Sequence, residues 1–345
     1  MDHVIYAKMD ERVDDLTTRW SNLADGRIST KVLFATDDFF APKERLLSHE
    51  TPVFIPGKYD DNGKWMDGWE SRRKRVSGHD FCVVRLGLPG IIKAVDIDTS
   101  HFTGNYPPEA SLEACWSDDD RVEGADWIEI APKQQIKGDS HNIIEIANDQ
   151  AFNHVRLHIY PDGGVARLKV YGKGAKDWSK FKAGTVVDLA AMGNGGRAIA
   201  WNDAHFGKPI NILTPGRGVN MGDGWETRRR REPGNDWAIL RLGRRGKISK
   251  VEIDTAHFKG NYPDGFSLTG ALVENESDVD WEKSSKDWTV LLERQKLEAD
   301  SVFVFEDEVK DIGVITHVRL DIYPDGGVSR LRLFGEPELN GGDDD

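Results

Sequence analysis

The chain has 345 residues with 59 Asp and Glu against 46 Lys and Arg, and the resulting net charge of −13 opposes docking on nucleic-acid phosphates or anionic bilayers. Its length is that of about two domains, and its 35 Gly, 14 Phe and 11 Trp favour turn-rich β structure over long helices. Cys82 and Cys115 are the only cysteines; they form no disulfide framework and fit a reducing compartment.

The opening Met1-Asp2-His3-Val4-Ile5-Tyr6 segment lacks the basic stretch and apolar run of a secretory signal, and no stretch approaches the roughly 20 apolar residues that span a bilayer. A cytoplasmic protein is expected. A short helix is expected near Glu44–Ser48. Asp67-Gly68-Trp69-Glu70-Ser71-Arg72-Arg73-Lys74-Arg75 reads as extended, with Glu70 and Arg72 on one face and Trp69, Arg73 and Arg75 on the other. In Val95–Thr99 apolar and acidic residues alternate, the pattern of a strand with one dry and one wet face. It runs into a loop holding His101, Asn105 and Tyr106. Val155, Leu157 and Ile159 then alternate with His154, Arg156, His158 and Tyr160, which places those polar groups on one strand face. Tyr160-Pro161-Asp162-Gly163-Gly164 supplies turn chemistry, and predicts a hairpin between that strand and Val165–Val170.

Sliding the sequence on itself shows that the rest repeats this unit. At a shift of 156, Trp69–Leu112 lies on Trp225–Leu268 without a gap and with 24 of 44 positions identical, so the match is a duplication. At a shift of 163, His154–Leu168 lies on His317–Leu331 with 13 of 15 identical. A repeat this long is a domain with its own core rather than a solenoid unit. The expected organisation is a first repeat over 1–172, a linker over 173–183, a second repeat over 184–338 and an acidic tail over 339–345. Met192-Gly193-Asn194-Gly195-Gly196 reads as a loop of the second repeat. The fold class is all-β: two tandem homologous antiparallel β-sandwiches of jelly-roll type.

The chemistry-bearing groups recur with the repeat. Arg72 and Arg73, matched by Arg228 and Arg229, offer guanidinium forks for a carboxylate, while Glu70 and Glu226 offer proton transfer; the bland alternative is an ion-pair network on a solvated strand. His101 and His257 supply a titratable nitrogen that Asp98 or Asp254 would orient, and Asn105, Tyr106, Asn261 and Tyr262 supply donors and acceptors. Against this stands a rigid loop closed by a Tyr-Pro turn. On the third polar face His158 is replaced by Asp321, so two-His metal binding is not duplicated and structural pairing is favoured. There is no G-x-S-x-G elbow, phosphate loop, H-E-x-x-H or dinucleotide fingerprint.

Asp-Gly-Trp-Glu-[Ser/Thr]-Arg-Arg, Asp-x-x-His-Phe-x-Gly-Asn-Tyr-Pro and His-Val-Arg-Leu-x-Ile-Tyr-Pro-Asp-Gly-Gly, each present twice, resemble the allantoicase (allantoate amidinohydrolase) family over nearly the whole chain. The resemblance implies two galactose-binding-like jelly rolls, hydrolysis of allantoate to ureidoglycolate and urea in purine catabolism, a small-molecule substrate rather than nucleic acid or membrane, and a homo-oligomer. Losing urea from a carbon that bears two ureido groups needs a proton on the leaving nitrogen, a water and an anion clamp. Glu70, His101, Glu226 and His257 are assigned to proton transfer; Arg72, Arg73, Asn105, Tyr106, Arg228, Arg229, Asn261 and Tyr262 are assigned to substrate binding. The residues name no definite cofactor and leave a divalent metal open, which would polarise a ureido oxygen; no ligand set for one is legible. The competing reading is a non-catalytic tandem carbohydrate-binding β-sandwich, which the charged character of the repeated loops disfavours.

Overall fold

The computed structural model describes residues 3–339, so all but the first residue of the expected acidic tail lies outside the described residues. The chain is all-β and divides into two units, one ending at Ala175 and the next beginning at Lys176. That junction falls inside the stretch read as a linker, whose first two residues still belong to the strand Arg167–Gly174.

Each unit is organised around one long strand. In the first it is Asp80–Asp98, in which Cys82, Val84, Leu86, Leu88, Ile92 and Ala94 are buried on every second or fourth position. Its first half pairs with Lys31–Ala35 on one edge and Ala151–Tyr160 on the other. Its second half pairs with Arg167–Gly174 and His141–Glu145. The strand therefore serves two groups of neighbours, and Glu109–Cys115 and Ile128–Gln135 extend the first group outward. The changeover comes near Gly90, where a Cβ would lie 2.4 Å from the Lys173 carbonyl oxygen. The second unit repeats the plan with Asp236–Asp254, flanked by Arg197–Trp201 and Ile315–Tyr323, then by Val302–Phe305 and Arg330–Pro337.

Two expectations are corrected. The strands Ala151–Tyr160 and Arg167–Gly174 do not form a hairpin; both pair with different halves of the long strand, and the Asp-Gly-Gly segment carries the chain between them. Asp96 and Asp98 do not face water but are fully buried. Asp96 is tied to His141 Nδ1 at 2.8 Å, and Asp98 accepts from the Ser100 amide and hydroxyl. A helix, Glu11–Arg19, precedes the repeat, capped by Asp10 and buried through Val13 and Leu16. The segment near Glu44–Ser48 is a 3₁₀ helix, Lys43–Leu47, and Met192–Asn194 is a single 3₁₀ turn.

Candidate active site

Three repeated segments converge in each unit. The short strand Trp69–Glu70 buries Trp69 completely, its indole N–H donating to the Asp37 carbonyl at 2.8 Å, and the alternation of a strand turns Glu70 to the other side. Its partner is Gly164–Val165 at the end of the Pro-Asp-Gly-Gly turn. Glycine is required there, because a Cβ on Gly164 would sit 1.9 Å from the buried Phe102 ring. The Gly164 amide donates to the Asn105 carbonyl at 2.7 Å and so fastens the histidine loop to the turn. The second unit makes the same closure from Gly327 to Asn261 at 2.8 Å.

That convergence puts the Asn105 amide on Glu70, Nδ2 to Oε1, at 2.8 Å, and Asn261 donates likewise to Glu226. Burial pushes the Glu70 carboxyl above the ordinary glutamate value; the Asn105 hydrogen bond opposes that, Asp60 adds to it and Lys64 opposes it. A carboxyl of this kind serves proton transfer closer to neutral pH than an exposed one.

His101 and His257 occupy left-handed backbone, with φ of 67° and 73°. The conformation is held by their amides, which donate to Asp139 and Asp300. Asp98 and Asp254 do not orient the rings, contrary to expectation; they bind the amides of Ser100 and Ala256 instead. The rings rest with Nε2 on a backbone carbonyl, Pro52 at 3.2 Å and Gly218 at 2.7 Å. A carbonyl only accepts, so Nε2 carries the hydrogen and Nδ1 is the nitrogen left for chemistry. No hydrogen bond joins either histidine to Glu70 or Glu226 among the described residues.

The arginines divide. Arg72 is engaged by Asp37, Nε to Oδ2 at 2.7 Å with a second guanidinium contact at 2.6 Å, and Arg228 is engaged by Asp203 in the same way. Partial burial would raise the Asp37 carboxyl, but the hydrogen bonds from Arg72 outweigh it and hold the group below its usual value. Arg73 and Arg229 are exposed and have no partner among the described residues. Tyr106 is half-buried against Met66, Phe102 and Ala166, and Tyr262 is half-buried in the copy. Sequence reasoning missed Asp37 and Asp203. The signal was available, since Asp37–Phe40 recurs at Asp203–Phe206 with the same Asp-x-x-Phe spacing.

The third polar face is separate. In the first unit His158 links His79 and Glu113 at 2.8 Å each, and Arg156 joins Glu113 through Nε at 2.7 Å. In the second, Asp321 takes a forked bond from the buried Arg319. Among the described residues no group of three or more His, Cys, Asp or Glu is placed to hold a metal ion. No helix among them is long and apolar enough to cross a membrane. A cleft of about 570 Å³ on the first unit is lined by Arg27, Lys31, Leu47 and His49, among others, and by none of the repeated groups.

The allantoicase-repeat family matches the chain twice, over residues 21–175 and 187–338. The chain is 56% identical to a probable allantoicase 2 of Burkholderia pseudomallei over 95% of its length and 98% of that protein's. It is 57% identical to a probable allantoicase of Photobacterium profundum over 92% and 96%. Among solved structures, allantoicase from Saccharomyces cerevisiae is similar with a TM-score of 0.77 and 32% identity, covering 96% of this chain and all of that one.

Proposed function

The chain belongs to the allantoicase family and hydrolyses allantoate to ureidoglycolate and urea in purine catabolism, and on that premise we propose that Glu70, with Asn105 bonded to it and His101 on the same loop as Asn105, moves the protons of the reaction. The central carbon of allantoate carries one carboxylate and two ureido groups. Glu70 in its carboxylate form takes a proton from water as the water oxygen bonds to that carbon. The breaking C–N bond leaves its electron pair on the ureido nitrogen, which receives the proton, relayed through Nδ1 of His101, and departs as urea. The free edges of Asn105 and Tyr106 receive the ureido oxygens and nitrogens. Arg73 is the guanidinium still open to the carboxylate, while Arg72 fixes the segment through Asp37. Glu226, His257, Asn261, Tyr262, Arg228 and Arg229 form the corresponding set.

The observation that carries this reading is the closure of three repeated segments onto one glutamate, held by an asparagine amide in both units. Release of urea from allantoate, read colorimetrically, tests it. Glu70→Gln should lower kcat by about 100-fold or more, and His101→Ala by a smaller factor; undiminished turnover by a folded Glu70→Gln chain overturns the assignment. Activity that survives exhaustive chelation assigns the chemistry to side chains alone, and activity lost then restored by a divalent ion adds a metal to it. We further propose that the chain is cytoplasmic and acts on free small molecules rather than nucleic acid, which the two buried unpaired cysteines and the acidic net charge support, and that it forms a homo-oligomer. Light scattering of the purified chain measures its order.

A further inference from the structure

The two copies of the site differ in one loop. Between Glu50 and Asp67 the first unit has ten more residues than the second has between the matching Gly216 and Asp223, the Glu50 and Gly216 carbonyls each accepting from the corresponding buried arginine. They build a small ribbon in which Tyr59–Asp60 pairs with Gly63–Lys64. Its last residue, Lys64, holds its ammonium 4.4 Å from the centroid of the Phe54 ring. That ring in turn lies 6.1 Å from the His101 ring, centroid to centroid. Lys64 is exposed, makes no ion pair among the described residues, and its charge is felt at Glu70. An ammonium steadied on an aromatic face with three N–H donors and no anion is half of a carboxylate-binding site.

The shorter loop of the second unit supplies no such group. Its one cation, Arg217, lies 4.0 Å from Asp300, the carboxylate that holds the His257 amide. Met221 takes the place beside the asparagine, with Sδ 3.8 Å from Asn261 Nδ2. The amide of Asn261 is therefore divided between Glu226 and a thioether. In the first unit Asn105 Nδ2 bonds Glu70 and keeps its second hydrogen without a partner among the described residues, open to a ureido oxygen.

We infer that the first unit is the one that binds and turns over allantoate, and that there Lys64, rather than Arg73, which recurs as Arg229 in the second unit, is the specificity residue that receives the substrate carboxylate. The inference rests on the function proposed above.

Two measurements test it on the full-length chain. Lys64→Met should raise KM for allantoate roughly 10- to 100-fold, the loss expected for a charged hydrogen bond to a carboxylate, with a smaller effect on kcat. Lys64→Arg should restore part of it. Lys64→Gln, checked for an unchanged melting temperature, guards against a folding defect in the first variant. Calorimetric titration of the Glu70→Gln chain with allantoate should count one site per chain, and Lys64→Met in that background should weaken it. Two sites per chain, or a wild-type KM in both Lys64→Met and Lys64→Gln, overturns this inference while leaving the role of Glu70 standing. Full urea release by Glu70→Gln removes the reading beneath it instead.

Discussion

The two units keep one set of groups and exchange another. Glu70 and Glu226 are each held by an asparagine amide, each on a short strand paired to a glycine turn. On the sheet face, by contrast, the first unit runs a chain from His79 through His158 to Glu113, where the second has a buried Arg319–Asp321 fork braced by Asn235 and Ser285. The backbone accounts for the difference. Around Glu70 and Glu226, close packing of main chain against main chain fixes which residues fit, whereas a strand face accepts any set of polar groups that satisfy one another.

The comparison breaks first at the arginines. Arg319→Met leaves Asp321 as a buried charge with a single amide donor, and should cost about 3–5 kcal/mol in denaturant unfolding. Arg156→Met leaves Glu113 paired with His158 and partly hydrated, and should cost about 1 kcal/mol or less. Equal losses would mean that the two faces are energetically alike. An effect between those two, about 1–3 kcal/mol, is expected of Gly164→Ala and of Gly327→Ala, because both drive a Cβ against a buried phenylalanine ring. Similar values for the two would sharpen the equivalence of the clefts.

Acidity gives the subtler tests. Because burial raises the Glu70 carboxyl, the role proposed for its carboxylate predicts that kcat/KM falls on the acid side at a pH above the ordinary glutamate value of about 4.3. Asn105→Ala removes a group that lowers that pKa, so the acid limb should move to higher pH. At Glu276, burial acts to raise the carboxyl, but the nearby His317 ring, Nε2 at 3.5 Å, and the bonded Arg241 guanidinium outweigh it and hold the group down at about 2. Its contribution to stability is complete above the ordinary glutamate range and is lost as pH falls toward 2. Glu276→Gln should flatten that part of the stability-against-pH curve.

Much of this was legible in the sequence. The duplication fixed the two units and named Glu70, His101 and Asn105 together with their copies, and those segments do meet. The hairpin was misread because turn chemistry identifies a reversal but not the strand that receives each arm, and here one long strand receives both. Alternation at Asp96 and Asp98 identified a face and assigned it to water, but a histidine and a capped turn let that face be dry. The helix Glu11–Arg19 lies before the duplicated region and buries only two residues, too few for periodicity to announce. Lys64 escaped for a related reason: it sits in the segment that spoils the alignment of the copies, and self-comparison sees only what occurs twice.

The link from the Gly164 amide to the Asn105 carbonyl involves main-chain atoms alone. The anchorage of the loop is thereby separated from the identity of the side chains it displays. Thr103 and Gly104, and the tip of the ribbon at Asp61 and Asn62, are exposed and can be rewritten without loosening that fastening. Selectivity toward other small ureido acids is thus open to redesign at these exposed positions, with the Asn105–Glu70 pair left in register.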